Sequence, residues 1–578
     1  MAHPHTRLLS ELLEFVRDEQ TAGHRKLLDL WDRPLTEKLE KGWSQGFTRL
    51  EAGDEPATAW ATLDDTESRF REGDLLVLHS GSPLEDQLGR GLSLESEEDG
   101  RWLLTGMRIS AALQLYAGGP CYADPDTIDL THYYERALEE IATSQIGRSV
   151  VLPLLSGKLE ISFDDRDVSE AERIAAAEGF NLRQAQAIGL AYGAEQIACI
   201  QGPPGSGKTR VLALIARLMA GRGERLLVTS HTHMAINNAL NMVHAQGVPA
   251  VKIGRQAQRK GLDEGVPGYP DMGAWEERPT DGYVVGATPF ATCNARLENY
   301  EFDTIIFDEA SQITVPLALM AMRKGKRFIF IGDQKQLPPV MLSRSVLSKE
   351  SSSVFAALTA QDADHSVMLD QTYRMNRWLT AWPSDTYYDK QLVATGGNRE
   401  RRLVLSQVPA RLGAVFDPAH SGVFIPTLDR AARTRNFRDA DLVAELCEAA
   451  VNGGVPLERI GIVTPYRAQG RALRNALIAR CGRATAQKVV ADTVERMQGQ
   501  ERELIILSLA TGDEVFLAAV APFFFQPARL NVSITRAMTK LIVVGPTVST
   551  VPELEDETVR LWISQYQGFI AQLLRVDL

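Results

Sequence analysis

The sequence is poor in cysteine. Its 578 residues hold five, Cys121, Cys199, Cys293, Cys447 and Cys481, with no C-x-x-C spacing. That excludes a zinc ribbon or an iron–sulfur framework, and a set so sparse and odd suits a reducing compartment, the cytoplasm. No apolar run approaches the roughly 18 residues a membrane span needs; the longest, Leu517 to Phe525, is far too short. Residues 1–20 are broken by His, Arg, Glu and Asp and lack an apolar signal core. Positive charge is not in excess: 62 Lys and Arg stand against 74 Asp and Glu, a net charge of −12. This argues against a polybasic binder of nucleic acid or membrane, but leaves room for a local basic channel. Repeats at solenoid spacing and low-complexity tracts are also missing. What remains is 44% hydrophobic and 24% charged, the balance of a globular protein, with length for about four domains.

Residues 1–60 read as helices. Leu8, Leu9, Leu12, Leu13 and Val16 recur at helical spacing, and Leu27, Leu28, Trp31, Leu35 and Leu39 continue past a break at Pro34. A helical pair packing on itself is expected. Between residues 70 and 107, Asp74–Leu78, Leu92 with Leu94, and Trp102–Leu104 alternate with turn residues and predict a small β-barrel. From Ile197 short apolar strands alternate with helices. The strand candidates are Ile197–Gln201, Leu226–Ser230, Tyr283–Ala287, Thr304–Asp308 and Phe328–Gly332, then Ile460–Thr464, Leu504–Leu509 and Leu541–Gly545. Two such sets predict two α/β lobes built on parallel sheets.

Gly202-Pro203-Pro204-Gly205-Ser206-Gly207-Lys208-Thr209 matches GxxxxGK[ST], between a strand and a helix that opens at Arg210. The glycines let backbone N–H groups wrap phosphates, Lys208 brings charge to the β- and γ-phosphates, and the Thr209 hydroxyl suits Mg²⁺. The helix N-terminus favours the anion further. This much predicts nucleotide binding without choosing among kinases, transporters, switches and motors.

The strand Thr304–Phe307 ends in Asp308-Glu309, one hundred residues after Lys208. At the C-terminal edge of a buried strand, Asp308 is placed to hold Mg²⁺ and Glu309 to orient and deprotonate an attacking water. The next strand exits through Gly332-Asp333-Gln334-Lys335-Gln336. Neutral Gln336 can bond both a γ-phosphate and that water without taking the proton. Arg374 and Arg536 each stand in a mixed segment, and an arginine fork neutralises charge spread over phosphoryl oxygens. Arg467, Arg471 and Arg474 share one helix face beside Thr464.

In chain order, Asn181-Leu182-Arg183-Gln184, the phosphate loop, Asp308–Ser311, Gly332–Pro339, Gln371–Met375, Ile462–Gln469, Met497–Glu501 and Arg529–Ala537 resemble the motif series of superfamily 1 helicases. The resemblance is to the Upf-like and immunoglobulin-mu-binding-protein-like branch of these AAA-type DNA/RNA helicases. It implies two RecA-like lobes, residues 176–345 and 346–578, with stalk helices and a small barrel in 1–175. It implies that Gln184 reads the adenine edge, that Tyr373 is a platform for the base, and that Arg374 and Arg536 reach the γ-phosphate across the cleft. Gly499 and Glu501 resemble the loop coupling nucleotide to strand movement. Thr232, Thr288 and Thr464 resemble backbone contacts to nucleic acid, with Arg467 beside them. Two departures stand out: His231-Thr232-His233-Met234 replaces the usual Pro-Ser-Asn segment, and Arg255–Gly282 is short where relatives carry a helical insertion.

The expectation is an ATP- and Mg²⁺-dependent motor on single-stranded DNA or RNA, acting as a monomer with no membrane partner and travelling five-prime to three-prime. The alternative is an ATP-controlled clamp or nucleoprotein remodeller that unwinds nothing. A phosphate-loop switch is disfavoured by the absence of an NKxD motif. The acidic excess is expected away from the strand, in segments such as Glu95–Asp99 and Glu553–Glu557.

Overall fold

The computed structural model describes residues 6–64, 68–70, 72–98, 100–116, 118–343, 353–360, 364–427, 429–486, 488–495, 497, 499–548 and 556–578. Asp99, Gln498 and residues 553–555, named above within motifs or acidic segments, lie outside the described residues.

A long helix, Thr6–Trp31, and a short one, Leu35–Glu40, open the chain, with Pro34 as the N-cap of the second. The helical expectation then ends early. Gln45–Ala52 and Thr58–Leu63 are strands of a closed six-stranded antiparallel barrel. A register shift between Phe47 and Arg49 puts both Phe47 and Leu50 inside, so the two apolar residues stand three apart as on a helix. The barrel closes through Arg101–Thr105, Gln87–Glu98, Leu75–His79 and Cys121–Pro125. Trp102 fills its core, edge-on to Phe47 and Phe70.

The first helix does not pack on its neighbour as expected. Leu12 joins Leu138 and Ile141 in the core cluster of the following α/β lobe. The barrel is tied to this stalk by a buried ion pair, Lys38 Nζ to Asp124 at 2.5 Å, and by Trp31 Nε1 donating to the Pro125 carbonyl at 2.9 Å.

Two parallel sheets follow, the RecA-like lobes. The first has eight strands, and its centre runs Arg225–Thr229, Thr304–Phe307, Arg327–Gly332, Ile197–Gln201. These segments are apolar almost end to end because helices cover both faces. The second lobe has six strands, with Ile460–Thr464, Arg502–Ser508, Ala537–Gly545 and Gly422–Pro426 at its centre. Strands Ala250–Ile253, Ser366–Met368, Gly422–Pro426 and Val490–Thr493 were not anticipated; each is short. Among the described residues no helix is long and apolar enough to cross a membrane.

Candidate functional site

Three adjacent strands of the first lobe end at one place. Ile197–Gln201 delivers the phosphate loop, Thr304–Phe307 delivers Asp308 and Glu309, and Arg327–Gly332 delivers Asp333 and Gln336. Ligands bind at such carboxyl edges of open sheets. Gly205 and Gly207 adopt left-handed φ of 73° and 83°, and a Cβ on Gly205 would lie 2.4 Å from the Cβ of Arg374. The loop is thus shaped for close approach. Lys208 opens the helix Lys208–Gly221, and its Nζ donates to the Gly202 carbonyl at 2.7 Å. The Pro203 carbonyl accepts from the buried Ser206 hydroxyl at 2.8 Å, and that of Pro204 accepts from the Thr372 hydroxyl at 2.8 Å. Thr209 is half-buried on the same helix. Arg210 is exposed, its guanidinium 4.0 Å over the Phe180 ring.

Gln184 is buried. Its Oε1 accepts from the Asn181 N–H at 3.2 Å and its Nε2 donates to the Ser206 carbonyl at 2.9 Å, binding a capping box to the phosphate loop. Tyr373 is more than a third exposed beside it, its hydroxyl accepting from Asn181 Nδ2 at 3.0 Å.

Asp308 is buried, and burial first, then Glu309, holds its carboxyl well above the usual range. Glu309 sits at a left-handed φ of 50°, strained for a residue with a side chain, and its Oε2 is buried with no partner. A hydroxyl (Thr209) and a carboxylate (Asp308) are the donors Mg²⁺ prefers. Among the described residues no group of three His, Cys, Asp or Glu gathers around one point, so phosphate and water oxygens would complete a shell there.

The second lobe reaches into this site. Arg374 Nε donates to Glu501 Oε2 at 2.6 Å and its Nη1 to the Thr535 carbonyl at 3.1 Å. Arg536 is buried; it donates to the Val532 carbonyl at 2.9 Å, the Gln500 carbonyl at 3.3 Å and Gln336 Oε1 at 3.3 Å. Burial, then the neighbouring Arg374, draws its guanidinium down to about 9. Two cations crowding one cleft form a place for a polyanion. Gly499, at φ 78°, starts the turn that carries Gln500 and Glu501.

The other expected contacts lie apart. Thr232 caps the helix His233–His244, its hydroxyl accepting from the Ala235 N–H at 3.3 Å. Thr288 precedes the turn Pro289–Cys293. Thr464 ends its strand fully buried. Arg467 is exposed at the head of the helix Arg467–Cys481, in a cleft of about 730 Å³ between barrel and second lobe. Arg471 and Arg474 line that cleft with Arg69 and Phe70 of the barrel side, Gln500 of the turn at Gly499–Glu501, and the carboxylates Glu97 and Asp492. Burial, then Arg471 and Arg467, pulls Arg69 down to about 10. Sequence reasoning missed Arg69 and Tyr388, and gave Thr372 no role of its own within Gln371–Met375. None stands out in its own segment, and only the fold brings them to these clefts.

Comparison with known proteins agrees with this architecture. Two AAA-domain families match, one over residues 179–268 and 280–344, the other over 350–548. The chain is 29% identical over 414 residues to the yeast Saccharomyces cerevisiae "DNA replication ATP-dependent helicase/nuclease DNA2", covering 65% of this chain and 26% of that protein. It is 30% identical over 399 residues to Arabidopsis thaliana "DNA replication ATP-dependent helicase/nuclease JHS1", covering 66% and 30% respectively. The Schizosaccharomyces pombe "DNA polymerase alpha-associated DNA helicase A" is 25% identical over 454 residues, 67% of this chain and 66% of its own. The chain therefore spans under a third of the length of the first two relatives.

Proposed function

We propose, starting from a chain that carries two AAA domains and is homologous to the DNA2-type helicases of superfamily 1, that it is an ATP-dependent helicase or translocase on single-stranded nucleic acid. The observation that carries this reading is the convergence of both lobes on one phosphate loop. Lys208, Gln336, Arg374 and Arg536 lie about one cleft, and Gln336 and Arg536 are bonded across it. A ligand touching both lobes favours their closed arrangement, and loss of its γ-phosphate removes that bias.

In this reading Lys208 and the loop N–H groups hold the phosphates, Gln184 and Tyr373 flank the base, and Glu309 orients the water and takes its proton. Thr209 and Asp308 would hold Mg²⁺, which supplies positive charge to the phosphate oxygens. Arg374 and Arg536 neutralise the transferring group. The turn at Gly499–Glu501 joins the two sites: Glu501 holds Arg374, and the Gln500 carbonyl holds Arg536 while the residue lines the arginine cleft. Arg467, Arg471, Arg474 and Arg69 grip strand phosphates there, with Thr232, Thr288 and Thr464 along the strand's course. Residues 1–175 form the accessory region, 176–345 and 346–578 the two lobes. Travel is five-prime to three-prime, in the cytoplasm.

The test compares ATP turnover with matched DNA and RNA oligonucleotides, then strand separation on duplexes with a five-prime or a three-prime overhang. Turnover stimulated by single strands, with unwinding from the five-prime overhang, is expected. Stimulation without unwinding of either duplex would make it a clamp or remodeller, and turnover indifferent to strands would sink the motor reading.

A further inference from the structure

The turn after the strand Arg327–Gly332 belongs to the first lobe by sequence but is plugged into the second. Leu337 packs in the second-lobe core with Met375, Tyr388 and Leu530. Asp333, fully buried, is surrounded by donors. Its Oδ1 accepts from Gln201 Nε2 at 3.3 Å and the Lys335 N–H at 3.1 Å; its Oδ2 accepts from Gln336 Nε2 and the Tyr388 hydroxyl, each at 2.8 Å. Tyr388 stands at the end of the second-lobe helix Arg377–Tyr387 and is 1% exposed. Its hydroxyl accepts in turn from Asn531 Nδ2 at 2.9 Å, and the same Nδ2 donates to the Lys335 carbonyl at 2.9 Å. Asn531 lies in the helix Pro527–Ile534, which runs directly into Arg536. Arg536 closes the ring by donating to Gln336 Oε1.

Both ends of the Gln336 amide are therefore fixed, one by Asp333 and one by Arg536. Asp333 is itself fixed by a second-lobe hydroxyl. Burial and Asp333 push the Tyr388 phenol far up, which keeps it a donor. A buried network of this kind has few alternative arrangements, since each released group would be left unpaired.

We propose that Tyr388 and Asn531 are positioning residues for the nucleotide site. They hold Asp333 from the second lobe and so set the rotamer of Gln336 and the approach of Arg536, making lobe closure and placement of Gln336 a single event. The proposal rests on the reading of the cleft as an ATPase site. It adds the two residues that tell that site whether the lobes have met.

Tyr388→Phe removes one oxygen and keeps the ring that fills the core. The experiment measures kcat, KM and non-hydrolysable analogue affinity for wild type, Y388F, Q336A and the double variant, with thermal unfolding of each. Expected is a fall in kcat of about tenfold for Y388F, with KM and analogue affinity within about twofold because the phosphate loop is untouched. In the Q336A background Y388F should cost little more, since both act through one amide. Asn531→Leu should repeat the pattern. Multiplying losses in the double variant, or a lower melting temperature with kcat intact, would reduce Tyr388 to packing and overturn the proposal. Wild-type turnover with an unaffected Y388F refutes this proposal alone. A wild type that does not hydrolyse ATP removes the reading beneath it, and this proposal with it.

Discussion

Arg536 is held by two carbonyls and one amide oxygen, so its fork is aimed before any ligand arrives. Its cost is burial first, then repulsion from Arg374, which a bound polyphosphate would offset. Arg536→Ala should keep analogue binding within a few-fold and lower kcat about a thousandfold; Arg536→Lys should recover little, lacking the planar fork. Lys208→Ala should abolish turnover and weaken binding as well. Wild-type hydrolysis by Arg536→Ala would remove the second lobe from the chemistry. A different buried cation tests stability. Lys252 is fully buried, its Nζ has no partner, and burial pulls it from 10.5 to about 7. Between those values the unfolded chain binds a proton that the folded chain does not, so stability rises with pH across that window and is lowest below it. Lys252→Met should stabilise by a few kcal/mol at pH 7 and flatten the rise toward pH 10 in urea unfolding. Parallel curves for the two proteins would contradict this. The residues that the fold gathers about the phosphate loop were legible because their motifs set spacing and chemistry together. Lys252 was not: the short strand Ala250–Ile253 went unread, and only the sheet covered on both faces buries its charge.

At the scale of elements, the helix Arg467–Cys481 shows what sequence supplies and what it withholds. The spacing of Arg467, Arg471 and Arg474 made one basic face visible. Arg69, from the far side of the chain, completes it, and its Nε is buried with no partner. Glu97 and Asp492 line the same cleft, but the four arginines outnumber them, and in the proposed reading strand phosphates balance the excess. Arg471→Ala and Arg474→Ala should each weaken single-strand binding whatever the base sequence, and lower the salt slope by about 0.7. Analogue affinity should stay unchanged. An unaltered slope would place the strand elsewhere. The eight lobe strands named from the sequence were readable because parallel strands buried on both faces are apolar throughout; short ones such as Gly422–Pro426 were not. The first barrel strand was misread because a bulge breaks its alternation and spaces Phe47 and Leu50 like a helix; the second, Thr58–Leu63, alternates but buries only the small side chains of Ala59 and Ala61.

Across the whole molecule, the charge of −12 and the arginine cleft describe one design. In the proposed reading the acidic surface repels strands at a distance, while the arginine cleft accepts them. Four arginines on single-strand phosphates give a salt slope of about −3, so affinity without nucleotide should be modest and salt-sensitive. The cleft also spans a joint. The barrel side is attached to the first lobe, because the stalk packs into that lobe and Lys260 pairs with Glu72 at 3.0 Å; the helix Arg467–Cys481 packs in the second. If ATP closes the lobes, as proposed, the width of this cleft should change with it, and Gln500 is placed to carry the change, its carbonyl accepting from Arg536 on one side while the residue lines the cleft on the other. Two sites that share one motion are coupled reciprocally. A non-hydrolysable ATP analogue should shift single-strand affinity by some factor, and a saturating strand should shift analogue affinity by the same factor, both measured at one salt concentration. Glu501→Ala, which releases Arg374 from the turn, should shrink that factor toward one while leaving each ligand able to bind alone. Strand affinity identical with and without the analogue would mean that the two clefts, though joined by one turn, do not speak to each other, and the motor reading would fail at the only scale on which a motor exists.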